Sequence, residues 1–261
     1  MSGGGIMAGM VDSARIRRLV LAVLLLAAAL TLLGLTFVTT RDRALAELRQ
    51  RLEVTAQSRV QALQSVLAKQ RAVAVVLSDD SLMRAALAAP GSATVVRASE
   101  KLDRLRDATA SAVIYLLDRE GLAIAASNWS NPDSFIGSNY GFRDYFTQAL
   151  LRGEATQFAL GTVSNRPGLY LSHDVVVDGA PQGVIVVKVE FDQTEQNWAD
   201  AGEQILVTDH TGQVILSSHP ALRFSALPVP RSGEVAAALP VPGTDWRLAI
   251  RAAGTGAGQA A

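Results

Sequence analysis

Arg143 and Lys188 stand where cations are costly, and their surroundings point to anion binding. Arg143 lies in the run Ser138-Asn139-Tyr140-Gly141-Phe142-Arg143-Asp144-Tyr145-Phe146. Ser138 or Asn139 suits the cap of a helix running from Gly141 to Leu151. That places Arg143 in the first turn, where the helix dipole disfavours a cation. An anion held over the helix end by backbone N–H groups and the guanidinium fork would account for it. So would an ion pair with Asp133, Asp144 or Glu154. Lys188 interrupts the otherwise apolar strand Gly183–Phe191 (GVIVVKVEF), and a buried lysine is expensive without a partner. If Val184, Val186 and Lys188 share one face, that face is a core or a cavity holding a cation. The other reading makes Lys188 the end of an exposed edge face. Between the two cations runs Gly161–Tyr170 (GTVSNRPGLY), with several hydroxyls and a tyrosine. Two cations, hydroxyl donors and aromatic walls suit a small ligand with a carboxylate at each end.

Reaction chemistry finds little support. The sequence has no G-x-S-x-G, H-E-x-x-H or G-x-x-x-x-G-K-[ST] motif. With no Cys there is no disulfide, thiolate zinc site or thiol nucleophile. Of the three His, His210 and His219 read as turn residues. His173 and Asp174, adjacent in a strand, point to opposite faces and are not expected to act as a base and its orienter. A hydrolase using His173 or His219 with a serine has no motif behind it. No catalytic residue, metal site or cofactor is expected. The 24 Lys plus Arg balance 24 Asp plus Glu, which argues against a nucleic-acid partner.

The positioning elements begin with an apolar segment. Mean hydropathy is +0.22 with only 18% charged residues, and Leu19–Val38 carries no charge at all. That is long enough to cross a bilayer core of about 30 Å. Arg15, Arg17 and Arg18 precede it and favour a cytoplasmic N-terminus for residues 1–18. Ala44-Leu45-Ala46 has the form of a signal-peptide cleavage site, but the apolar stretch exceeds the usual signal length, so an uncleaved anchor at 19–38 is expected. The chain beyond it then lies outside the cytoplasm.

From Arg41 to Ala89 no Gly or Pro interrupts a helix-forming composition. Leu45, Leu48, Leu52, Ala56, Val60, Leu63 and Leu67 form one apolar stripe, as a stalk would that packs on a second helix or a dimer partner. Pro90-Gly91-Ser92 is the expected break, and Ala93–Ala110 resumes the helix. Strands follow at 112–117, 122–127, 156–160, 169–177 and 183–191, then a short helix over 192–200. A smaller copy begins near Glu203: Ile114–Gly121 (IYLLDREG) aligns without a gap on Ile205–Gly212 (ILVTDHTG). The expected architecture is α+β: anchor, helical stalk (39–111), a larger unit (112–200), a smaller unit (201–251) without a matching cation pair, and a flexible tail (252–261).

Tyr140-Gly-Phe-Arg-Asp-Tyr-Phe146, Ala159–Ser172 (ALGTVSNRPGLYLS), Gly183–Phe191 and Trp198 together resemble the external sensor region of C4-dicarboxylate sensor histidine kinases of the DctB type. The resemblance extends over about Arg41–Arg251. It implies two tandem PAS-like units with antiparallel sheets, the double Cache fold, the membrane-distal one binding succinate, fumarate or malate. Carried onto this sequence, Arg143 and Lys188 would hold the carboxylates. Tyr140, Thr162 and Ser164 would supply donors, and Tyr170 would form a wall. With one apolar span, a single-pass protein of the bacterial inner membrane with its bulk periplasmic is expected, and the apolar stripe leads to the expectation of a homodimer through the stalk. A family kinase would continue into a second span, a phosphoacceptor His and an ATP-binding domain. None is in this sequence, so an input half without kinase activity is expected. The alternative is a Cache input domain of a chemoreceptor or diguanylate cyclase sensing an amino acid or other small carboxylate.

Overall fold

The computed structural model describes residues 8–226 and 236–251; the tail at 252–261 lies outside them. The chain divides into two units, Met1–Glu53 and Val54–Ala261. In the first, the described residues belong to helix α1 (Ala8–Ser78), whose apolar segment is exposed throughout. Thr31, Thr36 and Thr40 return their hydroxyls to Ala27, Leu32 and Thr36 carbonyls at 2.7, 2.9 and 2.7 Å. The segment therefore presents no unsatisfied hydroxyl to hydrocarbon. Among the described residues this is the one helix long and apolar enough to cross a membrane.

The helical break falls earlier than Pro90. α1 ends at Ser78 and α2 (Ser81–Ala88) starts afresh. Asp80 is the cause: its Oδ1 accepts from the N–H groups of Leu82 and Met83 at 3.0 and 3.4 Å, an N-cap inside a run without Gly or Pro. Its Oδ2 takes the ammonium of Lys101 on α3 (Ala93–Thr109), which binds α2 to α3. Ala56, Val60, Leu63 and Leu67 are buried within this one chain, so those positions are not free for a partner helix.

Two antiparallel sheets follow. β1 (Val113–Asp118), β2 (Ala123–Ala126), β3 (Glu154–Leu160), β4 (Pro167–Val177) and β5 (Ala180–Val189) form the order β2-β1-β5-β4-β3. α4 (Asp144–Arg152) packs on β3, β4 and β5, while α3 packs on β1 and β2. α5 (Asp192–Asp200) leads to β6 (Gln204–Thr208), β7 (Val214–Ser217), β8 (Ala236–Pro240) and β9 (Arg247–Arg251), in the order β7-β6-β9-β8. Among the described residues, the second order matches the first over four strands, β7-β6-β9-β8 running as β2-β1-β5-β4 does.

The repeat read from the sequence is repeated in hydrogen bonds. Asp118 Oδ1 accepts from Glu120 N and Leu122 N at 3.0 and 2.8 Å. Asp209 Oδ1 accepts from Thr211 N and Gln213 N at 2.8 and 3.0 Å. Gly121 and Gly212 turn both corners with φ of 83° and 84°, a region costly for residues with a Cβ. By register, Arg251 opposite Gln204 holds the position that Lys188 holds opposite Val113. A cation therefore stands there in the smaller sheet too.

Candidate functional site

Strand register builds the site on the α4 face of the first sheet. Lys188 pairs across to Val113 on one side and Tyr170 on the other. Alternation sets it on the same face as Val184 and Val186, which join Tyr115, Phe135, Tyr140, Tyr145, Phe146 and Tyr170 in one buried cluster. This is the core-face arrangement rather than the exposed edge: Lys188 is completely buried. Its ammonium donates to Ser164 Oγ at 2.7 Å and Glu190 Oε1 at 2.6 Å, and lies 5.9 Å from the Tyr170 ring centre.

Arg143 stands one position outside the expected turn. The helix starts at Asp144, and Arg143 is its N-cap residue, extended at φ −82°, ψ 137°, with no side-chain cap bond. Its backbone conformation sends the guanidinium across to β3, where Nη2 donates to Leu160 O at 2.8 Å, and over the Phe142 ring at 5.1 Å. No carboxylate pairs with it among the described residues, so the ion pairs with Asp133, Asp144 or Glu154 are not made. Its Nε is buried without a hydrogen-bond partner.

Tyr140 continues the same theme. Its hydroxyl is buried without a hydrogen bond of good geometry. Burial raises its pKa, and the neighbouring Ser138 and Thr162 side chains and the Arg143 charge offset this only in part. Burial likewise pushes the Tyr170 phenol up to about 12 and raises Tyr145 and Tyr115 further. All four phenols are neutral near pH 7 and can donate. Thr162 and Ser164 lie in the β3–β4 turn, Thr162 exposed and Ser164 half-buried. Thr162 thus flanks Tyr140, Ser164 contacts Lys188, and Arg143 bears on the Tyr140 and Tyr170 phenols. Gly161 lets the turn close: a Cβ there would sit 2.4 Å from Ser164 Oγ and 3.1 Å from Tyr170 Oη.

Three participants escaped the sequence reading. Tyr145 stacks on Tyr170 with centroids 4.9 Å apart and accepts from Tyr115 Oη at 2.8 Å. Its signal was its place two residues after Arg143. Glu190 is the counterion of Lys188, and its signal was the two-residue strand spacing. Arg166 pairs with Glu190 at 3.2 Å and Asp192 at 2.7 Å. The histidines gather no site: among the described residues no three His, Asp or Glu side chains cluster as metal ligands. His173 and Asp174 do meet, with Nδ1 3.0 Å from Asp174 Oδ1. A separate cleft of about 590 Å³ is lined by Asp144, Gln157, Phe158, His210, Asp245 and Trp246 among others, but by neither Arg143 nor Lys188.

No protein-family model matches the chain. It is 46% identical over 202 residues to the C4-dicarboxylate transport sensor protein DctB of Rhizobium meliloti strain 1021, covering 76% of this chain and 32% of that protein. It is 39% identical over 168 residues to the protein of the same name from Pseudomonas aeruginosa PAO1, covering 63% and 28%. The chain thus spans about a third of the length of the curated relatives it matches. The sensor domain of the V. cholerae histidine kinase DctB superposes with a TM-score of 0.68 at 24% identity, covering 82% of this chain and 98% of that one. The ligand-binding domain of the P. aeruginosa amino acid chemoreceptor PctC, in complex with GABA, does so at 0.61 and 17%, covering 78% and 99%. These structural likenesses show the fold, α+β of the PAS-like, double Cache kind.

Proposed function

Because this chain carries a sensor region of the DctB type, we infer that it is the membrane-anchored input half of a two-component sensor histidine kinase. Its first sheet binds a small dicarboxylate of the succinate, fumarate and malate class. The anchor crosses the bacterial inner membrane once and the sheets face the periplasm, the first sheet membrane-distal. The observation that carries the ligand reading is the pair of buried, unpartnered polar atoms, Arg143 Nε and Tyr140 Oη. Buried donors are seldom left without acceptors, and an Arg with no carboxylate of its own suits one brought by a ligand. Arg143 and Lys188 hold the two carboxylates, Tyr140, Thr162 and Ser164 donate to them, and Tyr170 forms a wall. The chain recognises and performs no reaction. It works as a homodimer along α1, through exposed positions such as Val54, Val75 and Val76 rather than the stripe buried by the chain itself.

The test is titration calorimetry of the full chain in lipid nanodiscs with succinate, malate and fumarate, acetate serving as the control. Saturable binding of dicarboxylates but not acetate, lost in a folded Arg143→Ala variant, is the expected result. No heat from a folded sample sinks the reading. One observation favours a second ligand class: Glu190 beside Lys188 is a carboxylate that could take an ammonium group. Binding of aspartate in preference to succinate would move the ligand to amino acids and the output to a chemoreceptor or cyclase.

A further inference from the structure

Lys188 is not a free cation awaiting a ligand. Of its three ammonium protons, one goes to Ser164 Oγ and one to Glu190 Oε1. A ligand carboxylate can reach the third only by coming up beside the Glu190 carboxylate. Two carboxylates around one buried ammonium repel strongly in a medium of low dielectric. The charges of Arg143, Lys188 and Glu190 leave one net positive charge, half of what a dicarboxylate dianion needs. Glu190 follows the last residue of β5, Val189, and so is not pinned by a strand ladder. Its other oxygen already faces Arg166 Nη1 at 3.2 Å, on a side chain that is 57% exposed.

From Arg166 the ion pairs continue. Arg166 Nη2 lies 2.7 Å from Asp192 Oδ2, and Asp192 Oδ1 lies 2.9 Å from Arg223 Nη2. Arg223 is bonded to the fully buried Glu195, with Nε 2.9 Å from Oε1. Glu195 Oε1 accepts from Ser217 N at 2.7 Å, in β7 of the second sheet. An unbroken alternation of cation and anion thus joins the ammonium in the first sheet to a backbone amide in the second.

Resting on the dicarboxylate reading above, the geometry points to Glu190 as a built-in competitor for Lys188, which a ligand carboxylate displaces onto Arg166, so that occupancy is relayed through Asp192, Arg223 and Glu195 to the second sheet. The ligand takes the third donor of Lys188 and then the second. Glu190 swings toward the exposed guanidinium of Arg166, which loosens its hold on Asp192. Asp192 then turns fully to Arg223, and the load on the Glu195–Ser217 bond changes. No covalent step or proton transfer is involved.

The experiment uses the full chain in nanodiscs and succinate as the probe. Glu190→Gln keeps an acceptor for Lys188 but removes the competing charge, and succinate is expected to bind at least fivefold more tightly. Unchanged or weaker succinate binding, with wild type binding normally, overturns the competitor. Loss of aspartate binding with succinate unaffected makes Glu190 an ammonium contact and overturns it as well. Amide exchange at Ser217 reads the relay. Saturating succinate is expected to change it at least threefold in wild type and not in Arg166→Gln, each measured at a concentration that saturates that protein. An unchanged Ser217 in wild type, or a full response in Arg166→Gln, overturns the relay. A wild type that binds no dicarboxylate overturns the ligand reading itself, and this inference with it.

Discussion

The ring of Tyr145 lies flat against that of Tyr170, at an interplanar angle of 9°. One ring belongs to α4 and the other to β4, so the stack fixes the helix that carries Arg143 against the sheet that carries Lys188. Tyr145→Phe keeps the stack and loses the Tyr115 bond, at a cost of about 1 kcal/mol in unfolding free energy. Tyr145→Ala loses both and leaves a cavity, at about 3–5 kcal/mol. Denaturant unfolding of the two variants, with wild type, checks the order.

Arg143→Lys preserves the charge but not the fork. A lysine cannot both donate to Leu160 O and present a second, fixed N–H beside Tyr140. Dicarboxylate affinity is expected to fall at least tenfold, with thermal stability within a degree or two of wild type. Affinity like that of wild type would show that charge alone matters at this position.

Gly161→Ala tests the turn that brings Ser164 to Lys188. The added methyl collides with Ser164 Oγ and crowds Tyr170 Oη, so the turn must open. Overpacking of this sort costs about 1–3 kcal/mol. Ligand affinity should fall more than stability does, because the displaced hydroxyl is a partner of the ammonium. Calorimetry and melting on the same samples separate the two effects.

Glu195 is fully buried and depends on Arg223. Arg223→Ala would strand a buried carboxylate, at a cost of about 3–5 kcal/mol. Arg223→Lys should recover part of that, and the paired change Arg223→Met with Glu195→Gln most of it. A small loss in Arg223→Ala, by denaturant unfolding, would mean that water reaches Glu195.

Acid should weaken the fold through its capping and bridging aspartates. Burial alone would raise the Asp80 pKa, but bonds from Lys101, Leu82 and Met83 hold it below the ordinary 3.8. Asp192 is held low in the same way by Arg166 and Arg223. A lowered folded pKa contributes stability that is complete above the ordinary value and lost as pH falls through the folded one. The melting temperature should be nearly level from about pH 7 to about pH 5 and fall below about pH 4. Asp80→Asn starts lower and falls less steeply.

The strand pattern was legible because alternation and turn residues are local. Asp192–Asp200 was read to the residue, and the Asp-x-x-Gly corners announced the repeat. The break at Asp80 was hidden because an Asp inside a helix-forming run looks like one more surface charge; only its bonds to Leu82 and Met83 make it a cap. Lys188 was legible as a cation in an apolar strand. The identity of its counterion was not, since it depends on which way Glu190 turns once the strand has ended. Nor was the setting of Arg143, because whether it caps the helix or enters it turns on one residue of chain direction.

The two corners built on Asp118 and Asp209 also bear on how such a chain changes over generations. A chain that holds the same framework twice can lose recognition from one copy and still recognise with the other. Substitutions are then free to accumulate unevenly between the two sheets, which among the described residues hold five and four strands. What drifts in one half becomes raw material for tuning the other, and variants that alter the response without touching the ligand should arise first in the smaller copy.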